Sequence, residues 1–130
     1  MKTLFLSLIL TLIFGSALIA EAQTTQQISL PSGKQKTVTR DKLKIKFVSV
    51  EDSRCPQGVT CVWAGNAKVT IKVTNRKGES KTFDLNTNLE VRSVKFEDYE
   101  IKLVSVEPYP KANAPTGATG YTASFSLTKL

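Results

Sequence analysis

Beyond residue 22, apolar and polar residues alternate with a period of two, the spacing at which successive side chains of a strand face opposite ways. Ala67, Val69, Ile71 and Val73 alternate with Lys68, Thr70, Lys72 and Thr74. Tyr121, Ala123, Phe125 and Leu127 alternate with Thr122, Ser124, Ser126 and Thr128. Lys81, Phe83 and Leu85 share one face, while Thr82 and Asp84 share the other. Each stretch reads as a half-buried strand with its odd positions inward. Asn75-Arg76-Lys77-Gly78 joins the first and third of them as a hairpin turn. Pro31-Ser32-Gly33 separates residues 28–30 from a short segment at 36–39, which predicts an N-terminal hairpin. Residues 89–96 are expected to add a short, irregular strand.

Two segments repeat a less regular pattern. Leu43-Lys44-Ile45-Lys46-Phe47-Val48-Ser49-Val50-Glu51-Asp52 resembles Tyr99-Glu100-Ile101-Lys102-Leu103-Val104-Ser105-Val106-Glu107-Pro108. In both, apolar residues hold odd positions and then switch to even ones, at Phe47-Val48 and at Leu103-Val104. One extra residue in a bulge flips the inward face and bends the strand. The likeness reads as a shared way of bending a sheet, with internal duplication as the other explanation. Two bent strands of this kind suit an all-β fold of seven to eight strands. Either a small antiparallel OB-like β-barrel or a strongly coiled β-sandwich accommodates them.

Lys2 precedes an apolar run over residues 4–20, which closes in Ala20-Glu21-Ala22. This small-x-small ending predicts a signal peptide at 1–22 and a single β domain at 23–130. A membrane anchor is the rival reading, since the run is nearly long enough to span. The flanks favour cleavage, and the expected product is secreted or periplasmic, monomeric and without a membrane segment. The composition, 41% hydrophobic and 22% charged, is that of a globular protein. A net charge of +7 outside the cytoplasm points to acidic proteins, anionic polysaccharide or lipid as neighbours, and away from nucleic acid. Lys44, Lys46, Lys68, Lys72 and Lys102 fall on polar strand positions. If their strands are neighbours, they form one basic face. That face serves either solubility and edge protection or attraction of an anionic polymer.

Cys55 and Cys61 are the only cysteines, and Trp63 the only tryptophan. Export puts the thiols where a pair normally bonds. Zinc needs about four ligands, and the chain has no histidine and no third cysteine. Redox motifs favour Cys-x-x-Cys, whereas five residues intervene here. A Cys55–Cys61 bridge closes a ring whose chain-entropy stabilisation is only about 2.3 kcal/mol, so it acts locally. Pro56 and Gly58 shape the ring further, the first by restricting φ and the second by admitting a positive one.

The run Asp52-Ser53-Arg54-Cys55-Pro56-Gln57-Gly58-Val59-Thr60-Cys61-Val62-Trp63-Ala64-Gly65 resembles a motif of many small exported bacterial proteins. The likeness extends through residues 99–110 to the Tyr121 strand and so covers nearly all of 23–130. It implies a small exported domain and assigns no activity. A looser similarity is to the potempins, exported bacterial β-barrel inhibitors of metallopeptidases. It implies a peptidase as one class of partner and marks no individual contact residue.

A loop ordered before binding avoids part of the entropy cost of association. Ser53, Arg54, Pro56, Gln57, Gly58, Val59, Thr60 and Trp63 are therefore the candidate binding residues, facing a protein partner such as an extracellular protease. Each also has a plainer reading. The ring can be a protected strand connection. Arg54 can enter an acidic pocket or bond to Glu51, Asp52 or nearby carbonyls. Trp63 can be an exposed anchor or pack beside the disulfide. Catalysis has little support: the chain has no histidine, no Gly-x-Ser-x-Gly elbow and no phosphate-cradling glycine loop. Paired acids can hydrolyse glycosides and serine with lysine can form a dyad, but abundant Ser and Lys on polar strand faces make chance placement the plainer reading of the latter. Acidic groups occur at Glu51/Asp52 and Glu97/Asp98/Glu100; the second lies at a strand entrance, lacks calcium-loop spacing and reads as a solvated edge. A binding module without cofactor or metal is the expectation.

Overall fold

Strand formation follows the alternation closely. The computed structural model describes residues 19–20, 23–38, 42–112 and 120–130. Apart from Ile19 and Ala20, the expected leader lies outside the described residues, as do Thr39 and residues 113–119. Eight strands form: β1 (Thr25–Pro31), β2 (Gln35–Val38), β3 (Leu43–Asp52), β4 (Ala67–Thr74), β5 (Ser80–Asn86), β6 (Ser93–Phe96), β7 (Tyr99–Glu107) and β8 (Thr122–Lys129). They make two four-stranded antiparallel sheets, β1-β8-β7-β6 and β2-β3-β4-β5. Of the two architectures expected, this is the sandwich.

Odd positions fill the core of the alternating strands. Ala67, Val69, Ile71 and Val73 of β4 merge with Ala123, Phe125 and Leu127 of β8 into one cluster. Phe47 and Phe125 are fully buried, and each such side chain contributes about 1.5–3 kcal/mol. Phe83 of β5 meets Phe96 of β6 edge to face, 6.1 Å between ring centres, and covers one open side of the sandwich.

Both predicted bulges are present. Pairing of β3 with β4 shifts register between Phe47 and Ser49, and pairing of β7 with β8 shifts between Leu103 and Ser105. Val48 and Val104 are turned outward. The inward set then resumes at even positions, half-buried Val50 and buried Val106. The 75–78 hairpin also forms. Asn75 accepts backbone hydrogen bonds from Lys77 and Glu79 through its side-chain oxygen, fixing the turn.

Three expectations change. The predicted N-terminal hairpin does not form, because β1 pairs with β8 and β2 pairs with β3. The turn at Pro31-Ser32-Gly33 is a corner between sheets. The Ser32 amide donates to Tyr121 in one sheet and the Gly33 amide to Phe47 in the other, both at 2.8 Å. A two-period pattern flanking a turn does not say whether the chain folds back beside itself or crosses the core. The strand expected over 89–96 shortens to Ser93–Phe96. Exposed Leu89 and Val91, the latter with φ 63°, belong to the loop before it. Finally, Lys44, Lys46, Lys68 and Lys72 share the outer face of the second sheet, but Lys102 lies on β7 in the first.

Candidate functional site: the disulfide arch and its base

The β3–β4 ladder does not stop at its last paired residues, Asp52 and Ala67. The Ser53 amide donates to Asn66 at 2.7 Å and the Cys55 amide to Ala64 at 2.8 Å. The two arms rise side by side, and residues 56–63 form the tip of an arch. Gly65 permits the close approach. Its φ is 74°, and a Cβ there would collide with the Ser53 carbonyl and the Arg54 backbone. The Cys55–Cys61 bond, across a Cα–Cα distance of 5.9 Å, ties the first arm to the descending limb. Within the ring the Val59 amide faces the Pro56 carbonyl at 3.4 Å. Gly58, with φ 85°, occupies the third position of that turn, where a positive φ favours glycine.

Arg54 departs from its proposed binding role. It is 6% exposed and points inward. Its Nε and Nη2 donate to the two oxygens of Asp52 at 2.8 and 2.9 Å. Nη1 donates to the Val106 carbonyl at 2.7 Å, and Nη2 also donates to that of Pro108 at 3.0 Å. The Tyr109 ring lies 4.5 Å from the guanidinium carbon. One side chain thus bolts the arch to β7 and the loop after it, and therefore one sheet to the other. The reason is geometric: a planar fork of donors suits a carboxylate and two carbonyls at once.

Asp52 is equally well satisfied. Its Oδ1 also accepts from the Arg54 amide at 3.1 Å, and its Oδ2 from the Tyr121 hydroxyl at 3.0 Å. Burial pushes this carboxyl upward. The hydrogen bonds from Arg54 and Tyr121, with the Arg54 charge, outweigh that and hold it below the usual carboxylate value. On the guanidinium, burial acts downward, yet the Asp52 carboxylate holds its pKa above the ordinary arginine value.

Asn66, absent from the sequence-based candidates, supports the other arm. It is 6% exposed. Its Nδ2 donates to Asn86 at 2.9 Å, and its Oδ1 accepts from the Asn88 amide at 3.0 Å. Asn88 Nδ2 in turn donates to the Gly65 carbonyl at 2.7 Å. The available signal was Asn86-Thr87-Asn88, a cluster of residues prone to local backbone bonding, near in space to another asparagine just before a strand.

The loop after β7 braces the arch from one side. The Gln57 amide donates to Pro110 at 2.8 Å, and the Ala112 amide to Gln57 at 3.3 Å. Beyond this brace the tip is open. Gln57, Gly58, Val59 and Thr60 are exposed and Pro56 is half-buried. Val62 is entirely exposed, and Trp63 is 61% exposed. Trp63 is therefore displayed and does not pack in the core. Ser53 is exposed at the base, its hydroxyl donating to the Asn66 carbonyl at 2.7 Å. The tip carries no charged residue. It offers an indole, two valines and backbone polar groups on a braced support. Among the described residues, no group of three or more His, Cys, Asp or Glu side chains gathers as for a metal ion. Comparison with protein-family models, curated proteins and solved structures finds no match.

Proposed function

We propose that this protein is an exported, non-enzymatic binding domain that presents the disulfide-closed arch to a protein partner. Its partner class is an extracellular peptidase, a metallopeptidase in the form suggested by the likeness to the potempins. One observation carries the reading: an uncharged tip with Val59, Val62 and Trp63 exposed stands on a base whose polar groups are bonded from below. Interfaces draw most of their energy from a few large side chains, tryptophan foremost, that lose water on binding. A folded monomer seldom leaves such side chains clustered on a constrained loop without a use for them. Prior ordering by the disulfide, Pro56 and the brace lowers the entropy cost of docking.

The test measures inhibition of a panel of secreted metallo-, serine and cysteine peptidases by the purified protein. Potent inhibition of a metallopeptidase is expected. Replacing Trp63 with alanine is expected to weaken it at least about thirtyfold, with unfolding stability changed by no more than about 0.5 kcal/mol. Inhibition that is indifferent to Trp63→Ala contradicts the role of the tip, and failure across the panel contradicts the peptidase assignment.

A further inference from the structure

The end of the second sheet farthest from the arch holds a different surface. β4 leaves the arch at Ala67 and ends at Thr74, about 24 Å away at the rise of an antiparallel strand. There Lys44 and Lys46 of β3 and Lys72 of β4 stand exposed on the outer face. Lys46 lies directly opposite Lys72, and Lys44 opposite Thr74. Like charges directly opposite weaken a sheet, so this register carries a cost that neutral residues would avoid. Beside them lies a depression of about 300 Å³ lined by Thr37, Lys42, Lys44, Thr74 and Arg76 among others, with no carboxylate among the described residues of its lining. Toward the arch the same face is balanced. Lys68 pairs with Glu51 at 3.2 Å, and Asp84 accepts the Thr70 hydroxyl at 2.7 Å. On the outer face itself the lysines outside that ion pair therefore gather toward one end, while Glu79, Glu97 and Asp98 line the neighbouring cavity past Asn75 and Arg76.

We propose that this surface binds a linear anionic polysaccharide, with carboxylate or sulfate groups over Lys44, Lys46 and Lys72 and one such group in the adjoining depression. The backbone positions that carry the cations repeat about 7 Å apart along a strand and about 5 Å across the pair. An array of that kind matches a ligand whose charges repeat. Among the described residues the outer face of this sheet shows no aromatic ring. Single-stranded nucleic acid would need rings for stacking, and a lipid surface would favour large apolar groups beside the lysines. The hydroxyls of Thr37 and Thr74 suit the oxygens of a sugar acid or ester. This site is separate from the tip, and the failure of either assignment leaves the other standing.

The experiment titrates the purified protein with polygalacturonate, dextran sulfate and neutral dextran, and with vesicles containing an anionic phospholipid. Two triple variants are compared. Lys44→Gln/Lys46→Gln/Lys72→Gln alters the proposed face, and Arg92→Gln/Lys95→Gln/Lys102→Gln removes the same charge from β6, β7 and the residue just before β6. All six positions are exposed, and circular dichroism checks each fold. At least one acidic polymer is expected to bind, more weakly as salt rises. The first variant is expected to lose about tenfold or more in affinity and the second less than about twofold. Equal losses from both variants overturn the proposal, as does binding to neither acidic polymer at low salt. Binding to vesicles without binding to polymer overturns it in favour of a lipid surface.

Discussion

β3 and β7 are bent in the same way and finished differently. Leu43, Ile45 and Phe47 match Tyr99, Ile101 and Leu103 as inward residues, and each strand then bulges and continues beside β4 or β8. In register, Phe47 faces Ile71 where Leu103 faces Phe125, and Val50 faces Val69 where Val106 faces Ala123. Each partner strand is preceded by a positive-φ glycine, Gly65 or Gly120, and then a buried residue, Asn66 or Tyr121. Among the described residues, the connections between these matched parts share nothing further. One carries the disulfide, the inward arginine and an exposed tip. The other offers the carbonyls of Pro108 and Pro110 and the ring of Tyr109, all turned to the first. Repeated frame residues solve a packing problem common to both sheets, while the unmatched residues decide which connection is displayed and which one braces it.

The sharpest way to break this comparison is to remove the bolt. Arg54→Ala leaves the buried Asp52 carboxylate without its cation and is expected to cost about 3–5 kcal/mol in chemical denaturation. Glu107→Ala, on an exposed position of the matching strand, is expected to stay within about 0.5 kcal/mol. Similar costs for the two would remove the distinction between anchored and bracing connections.

The glycines sharpen the comparison at smaller amplitude. Gly120→Ala meets open space and carries only the strain of a positive φ, about 1–2 kcal/mol. Gly65→Ala adds a collision with the opposite arm, for an expected total of about 2–5 kcal/mol. Equal destabilisation of the two variants would mean that the arms at Gly65 separate without cost.

Acid gives the mildest probe. The folded-state pKa of Asp52 lies below its ordinary value of 3.8, so its contribution is complete above that value. It is lost as pH falls through the lower folded-state value. Asp52→Asn is expected to flatten the acid limb of the stability curve below about pH 4. An unchanged acid limb would show that the carboxylate is not held by its partners.

Much of the fold was legible because packing in a sandwich reads directly as alternation. β4, β5, β8 and both bulges follow from which positions are apolar. The corner at Ser32–Gly33 was not legible, since its two amides choose partners that are distant in sequence. The site divided in the same manner. The cysteine ring follows from composition, spacing and the export expected from the leader pattern. The inward turn of Arg54 depends on carbonyls at Val106 and Pro108 that no local pattern announces. The display of Trp63 depends on the Ser53–Asn66 and Cys55–Ala64 pairs, which carry the chain beyond the sheet before the indole is reached.

The most direct measurement is backbone amide relaxation and hydrogen exchange by NMR, on the oxidised and the reduced protein. Reduction is expected to mobilise residues 57–61 while the Ser53 and Cys55 amides stay protected, because Arg54, Asp52, Tyr121 and Asn66 hold the base without help from the sulfurs. Loss of protection at Ser53 and Cys55 on reduction, or a ring that stays equally rigid without its bridge, would contradict that division between a bolted base and a disulfide-ordered tip.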